Sequence, residues 1–249
     1  MEITKDELKE IITASVQEAL IRFKMIQTAK MTHKFGPITK EKISSMVTTG
    51  SLEFKLCSKF GKVFRHSVSP LLTAINTSEM HTNFLGKARS IVNTDLVNKK
   101  GLRNPLHADI ELFRGYNFNK IVALDIILFA PYSFKFDRLK GFVQLDIPSF
   151  DIMNRVKWVK GATHFRIVSA ATEIDLVNEK SEASILESQY INVSEGKTEN
   201  ICHIHKISPS GIYPCFLLLT VEYYQFVNGL YYRFLDKKIN AVEIIGVCK

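Results

Sequence analysis

Apolar residues recur along this chain with two different periods, and the change of period falls near residue 106. In the first part Leu8, Ile12, Val16, Ala19, Phe23 and Ile26 are spaced by three and four, which predicts one apolar stripe on a helix over residues 1–30. Thr4 and Glu7 form a Thr-x-x-Glu capping box, and Ile3 and Leu8 take the staple positions at its start. Such a stripe packs on its own chain or on another subunit, and it is too short to read as a coiled coil. A turn-rich connector follows at "HKFGPITK", residues 33–40.

The spacing predicts a second helix over residues 50–68. Leu56, Phe60, Val63, Phe64 and Val68 fall on one side of it, and Lys55, Lys59, Lys62, Arg65 and His66 on the other. Ser69-Pro70 breaks or restarts that helix, with Ser69 placed to cap a successor that begins at Pro70. A third helical pattern covers residues 78–92, with Met80, Phe84, Leu85, Ala88 and Ile91 on its apolar side.

Beyond residue 106 the runs are β-branched or aromatic and bounded by turn residues: "FNKIVALDIILF", "GFVQLDI", "THFRIVSA", "ICHIHKI", "YPCFLLLTVEYYQFV", "LYYRFL" and "NAVEIIGV". In "THFRIV", His164 and Arg166 alternate with Phe165 and Ile167, as a strand requires. The prediction is an α+β chain: a helical N-terminal region followed by an antiparallel β-sandwich of immunoglobulin-like or jelly-roll kind. Its expected divisions are an N-terminal amphipathic helix (1–30), a basic helical region (31–105) and the sandwich (106–249).

One stretch carries an explicit turn signal. In "VEYYQFVNGLYYRF", Asn228-Gly229 suits a two-residue type I′ turn, which needs positive φ at both positions. That turn sets Val227 opposite Leu230, Phe226 opposite Tyr231, Tyr224 opposite Arg233 and Tyr223 opposite Phe234. One face then reads Leu219, Val221, Tyr223, Val227, Leu230, Tyr232 and Phe234, which predicts a core face. The other reads Glu222, Tyr224, Phe226, Tyr231 and Arg233, with a Tyr224–Arg233 cation–π contact expected. That second face is either a half-covered sheet surface or a docking patch for another protein.

Charge changes the picture in one respect. The net charge is +8, yet residues 20–105 hold fifteen Lys/Arg against four acids, a local +11 that leaves −3 elsewhere. A basic module beside a mildly acidic one is expected to meet either nucleic acid or an acidic protein surface. The composition, 46% hydrophobic and 23% charged, is that of a folded globular chain. The longest apolar run, "IVALDIILFAPY" (121–132), is short and holds Asp125, so it reads as a buried strand rather than a membrane span. The four cysteines, 57, 202, 215 and 248, lie far apart and signal neither a disulfide framework nor a zinc cluster. With no basic-then-apolar leader in "MEITKDELKE", the expected compartment is the cytoplasm, or an assembly made there.

Recognisable chemistry is sparse. There is no phosphate-loop, dinucleotide, His-Glu-x-x-His or Gly-x-Ser-x-Gly pattern. "CHIH" places His203 and His205 on one strand face, the spacing of two metal ligands, but no third ligand stands at a recognisable distance; a solvent-facing or hydrogen-bonded pair is the alternative. Asp109/Glu111 and Glu173/Asp175 are carboxylate pairs with strand spacing, as many solvated pairs are. No catalytic residue, cofactor, metal or small-molecule substrate is implied. The candidate binding residues are Lys55, Lys59, Lys62 and Arg65, and the candidate interface residues Tyr224, Phe226, Tyr231 and Arg233.

"KFGKVFRHSV", "MHTNFLGKARSIVNTD", "GATHFRIVSAATEIDL" and "VEYYQFVNGLYYRFLDKKINAVEIIGV" together resemble a family of uncharacterised (hypothetical) proteins of Bacteroidetes-type genomes, over roughly residues 55–249. The resemblance implies a helical pair ahead of a β-rich body, and it transfers no active-site residue. The expected function is that of a non-enzymatic structural or interaction protein of a larger oligomeric assembly, of virion or mobile-element type. The alternative is a nucleic-acid-binding protein that uses residues 50–105.

Overall fold

The computed structural model describes residues 49–75, 77–105 and 107–249. The predicted helix over residues 1–30 and the connector at 33–40 lie outside the described residues. A helical part precedes a β-rich body built from antiparallel sheets, so the chain is α+β.

Helices α1 (Thr49–Ser67), α2 (Ser69–Leu72) and α3 (Ser78–Val92) follow the predicted periods closely. The Thr77 side chain caps α3 by accepting from Met80 N at 3.1 Å, which satisfies an otherwise orphaned donor. Ser69 does not cap α2. The N-cap is Val68, with no side-chain cap bond, and Ser69 is already the first helical residue ahead of Pro70.

Ten strands follow: β1 (Tyr116–Asn117), β2 (Ser133–Asp137), β3 (Phe142–Ile147), β4 (His164–Asp175), β5 (Lys180–Glu187), β6 (Ile191–Asn192), β7 (Ile201–Lys206), β8 (Cys215–Val227), β9 (Leu230–Arg233) and β10 (Val242–Cys248). The larger sheet runs β1-β10-β8-β4-β5, with β6 added to β4 and β9 to β8, and the smaller runs β2-β3-β7. All pairings are antiparallel.

The larger sheet is covered on both faces, which is why "CFLLLTVEYY" in β8 is buried throughout rather than alternating. Phe216, Leu218, Val168, Ala170, Val242 and Ile244 face the helices and share a core with Phe60, Phe64, Phe84 and Ile91. Leu217, Leu219, Val221, Ile167, Ala171 and Ile245 face the smaller sheet and pack with Val143, Leu145 and Ile147. Residues 49–249 form one compact unit.

Two segments depart from the strand pattern. "FNKIVALDIILF" is not a strand but a wrapped loop with a 3-10 turn at Leu124–Ile126. Its buried apolar positions, Phe118, Val122, Leu124, Ile127 and Leu128, are unevenly spaced, as a winding chain needs and a pleated one does not. The Asn119 side chain holds the loop by donating to the carbonyls of Lys237 and Asn240 at 2.5 and 2.6 Å. Asp109 precedes and Glu111 lies within a second 3-10 turn at Ile110–Phe113, so they do not share a strand face. β2 and β5 are too polar and too exposed to stand out as apolar runs, because both lie at sheet edges.

Candidate functional site: a projecting aromatic ribbon

The Asn228-Gly229 turn forms as expected, with φ of 52° and 82°. It sets Val227 opposite Leu230, Phe226 opposite Tyr231 and Tyr224 opposite Arg233. Phe234 N donates to Tyr223 O at 2.9 Å and continues the ladder. Beyond Tyr224, however, the ribbon outruns both cores. Phe226, Val227, Leu230, Tyr231 and Tyr232 are between 37% and 59% exposed, on both faces. The expected core positions Val227, Leu230 and Tyr232 are therefore surface, because among the described residues neither sheet nor helix covers them. Leu219, Val221 and Tyr223 are buried as predicted.

The base of the ribbon is held by charge. Glu222 is buried, and its carboxylate accepts from Arg166 Nε at 3.0 Å and Arg233 Nη2 at 2.8 Å, and from the Tyr224 hydroxyl. Arg166 also pairs with Glu187. Two guanidiniums and a phenol thereby satisfy one buried carboxylate, which would be costly if left alone. Burial first, then the bond to Glu222, pushes the Tyr224 phenol well above its ordinary range, so it stays protonated and donating.

Of the four predicted interface residues, Phe226 and Tyr231 lie on the surface, and Arg233 is partly buried. Tyr224 is only 4% exposed and supports them from below. The cation over its ring is Arg166, at 5.1 Å, and not Arg233, whose guanidinium is committed to Glu222. Tyr190, from the segment after β5, stacks on Tyr231 with centroids 3.7 Å apart and stands edge-on to Tyr224. His164 meets both Phe226 and Tyr231 edge-on. No local spacing marks Tyr190, whereas the alternation of "THFRIV" puts His164 and Arg166 on the ribbon's side of β4.

The basic face of α1 is present but partly engaged. Lys55, Lys59 and Lys62 are exposed, whereas Arg65 is half-buried, and desolvation lowers its pKa. Lys59 pairs with Glu179 at 2.5 Å. Among the described residues Lys55 and Lys62 have no ion pair.

His203 and His205 do point the same way, but inward. Both are buried between the sheets, with Ser169 Oγ 2.6 Å from His203 Nδ1 and 2.9 Å from His205 Nε2. His205 Nδ1 lies 3.2 Å from Ser184 Oγ. Only one arrangement within this chain of groups leaves neither a ring N–H nor the Ser169 O–H without an acceptor. His205 Nδ1–H donates to Ser184, Ser169 donates to His205, and His203 Nδ1–H donates to Ser169, leaving a bare lone pair on the partnerless His203 Nε2. Burial lowers both histidines, His205 to about 4, so both are neutral at pH 7. Among the described residues no group of three or more His, Cys, Asp or Glu is placed to hold a metal ion. Glu173 is bound to Arg138 at 2.6 Å and Asp175 caps a turn through Val177 N and Asn178 N, so this carboxylate pair is committed to the fold.

No family model, curated protein or solved structure matches this chain. Among the described residues no helix is long and apolar enough to cross a membrane.

Proposed function

We propose that this protein is a non-enzymatic interaction component of a larger assembly, located in the cytoplasm or in an assembly made there, and that the β8–β9 ribbon is its docking element. The observation that carries this reading is the ribbon itself: aromatic and aliphatic side chains stand exposed on both of its faces, above a base tied rigidly by Glu222. Among the described residues β9 pairs only with β8, so its outer edge is open. Ladder alternation turns the backbone groups of Tyr231 and Arg233 toward that edge, where another polypeptide strand can add to them. An edge of this kind recognises protein rather than a small molecule. The two sheets facing one another across a shared core support a β-sandwich in the broad sense as its scaffold.

The test is light scattering across a wide concentration range on the wild type and on Leu230→Lys/Tyr232→Lys. The mass of the wild type is expected to rise with concentration, and that of the variant to stay monomeric with its thermal transition unchanged. A wild type that stays monomeric throughout overturns the self-docking form of the proposal. The exposed Lys55 and Lys62 favour a second reading, sequence-blind binding of nucleic acid by α1. It predicts a salt-sensitive gel shift that Lys55→Gln/Lys62→Gln removes.

A further inference from the structure

Away from the ribbon, a groove of about 690 Å³ runs between the last two turns of α3 and the segment 114–126. That volume lies in the range of small-molecule sites. Lys87, Arg114 and Lys120 line it, and no lining residue is acidic. Asp125, on its rim, is the one carboxylate of the segment; its charge, after burial, raises the pKa of Glu243, which pairs in register with Asn117. Among the described residues none of the three cations has an ion pair. Lys120 Nζ lies 5.7 Å over the Tyr116 ring and Arg114 lies 5.4 Å over Phe134, contacts that leave charge unneutralised.

Two further observations bear on the groove. Tyr116 lines it, is 8% exposed, and has a buried hydroxyl with no partner among the described residues. Such orphans are rare because each forfeits a hydrogen bond to water. Burial lifts Tyr116 to about 12, so it stays protonated and offers a donor. Gly86 stands on the groove side of α3, and a Cβ built there meets nothing within 4 Å. Glycine inside a helix costs about 1 kcal/mol relative to alanine. Among the described residues no neighbour requires it, and its absent side chain keeps the groove wall open.

We propose that this groove is a binding site for a small organic phosphate, of roughly nucleoside-monophosphate size. The charged groups that line the groove are all cations, which calls for an anionic ligand, and three cations suit a dianion better than a single carboxylate. Ile121 and Ile126 supply an apolar wall for the organic part. The site is independent of the ribbon and of the α1 lysines.

Isothermal titration of the full chain with adenosine 5′-monophosphate, ribose 5-phosphate, adenosine and a short single-stranded oligonucleotide tests it. At least one of the two phosphates is expected to bind, and adenosine is not. Lys87→Gln/Lys120→Gln is expected to weaken binding at least tenfold, and Gly86→Phe to block it. Tyr116→Phe is expected to weaken it severalfold while the free protein melts no lower, since the change removes an unpartnered hydroxyl. Lys55→Gln/Lys62→Gln is expected to leave it unchanged. The proposal is overturned if neither phosphate binds at about 10 mM, if adenosine matches its monophosphate, if the groove variants keep wild-type affinity while folded, or if only the oligonucleotide binds.

Discussion

The two faces of the larger sheet are stabilised differently. The helix-covered face is dry and aromatic: Phe60, Phe64, Phe84, Phe113, Phe118 and Phe216 form a connected cluster with centroids 4.9–5.9 Å apart. A single side-chain hydrogen bond, Thr172 Oγ1 to Ser67 Oγ at 2.9 Å, joins α1 to β4 there. The sheet-covered face has an aliphatic core, but it also holds the His203–Ser169–His205 chain and the Arg138–Glu173 pair. Arg138 further donates to the carbonyls of Tyr213 and Cys248, tying the β2–β3 hairpin to one end of the larger sheet, where β8 begins and β10 finishes. One face relies on area and ring geometry, which pH does not touch. The other relies on polar groups held in one protonation state, so its stability follows solution conditions.

The largest expected break is on the helical side. Phe64 is fully buried and touches rings from α1, α3 and β8, so Phe64→Ala leaves a cavity that the sheet cannot close. Urea titration is expected to show a loss of about 3–5 kcal/mol, with no dependence on pH between 7 and 5.

Acid sharpens the contrast on the opposite side. His205 titrates near 4 in the fold and near 6.5 when unfolded, so the unfolded chain binds the extra proton first. Its contribution is intact above pH 6.5 and is lost as pH falls toward 4, by about 3 kcal/mol over that window. His203 shifts in the same direction and adds to the loss. Urea midpoints measured from pH 7 to pH 4 are expected to fall along this course, and His205→Gln to flatten it.

A smaller effect is expected at Gly246. A Cβ there would lie 2.7 Å from Phe134 Cε2 and 3.0 Å from Phe136 Cε2, where β2 presses on the bulge of β10. Gly246→Ala is expected to cost about 1–3 kcal/mol, through displaced rings. A melt as high as the wild type's would mean that the smaller sheet sits loosely on the larger.

Much of the local structure was legible in the residues. The three-and-four spacing of Phe60, Val63 and Phe64 and of Met80, Phe84 and Ala88 marked α1 and α3, and Asn228-Gly229 marked the hairpin with its register. These signals are local, because helix period, strand alternation and turn dihedrals are set by neighbours in the chain. Edge strands β2 and β5 were faint for the converse reason: little of them is buried, so little apolar pattern is needed.

What only the tertiary structure decided is coverage and convergence. Val227, Leu230 and Tyr232 have a core pattern yet stand exposed, because among the described residues no segment covers their face of the ribbon. His203 and His205 share a face by period, but the fold turned that face inward, onto Ser169 of a strand more than thirty residues away. Lys87, Arg114 and Lys120 meet around one groove because α3 and the segment 114–126 line it together, a juxtaposition that no residue spacing records. Burial and charge clustering depend on which distant segments arrive beside one another, and the chain's local periods leave that open.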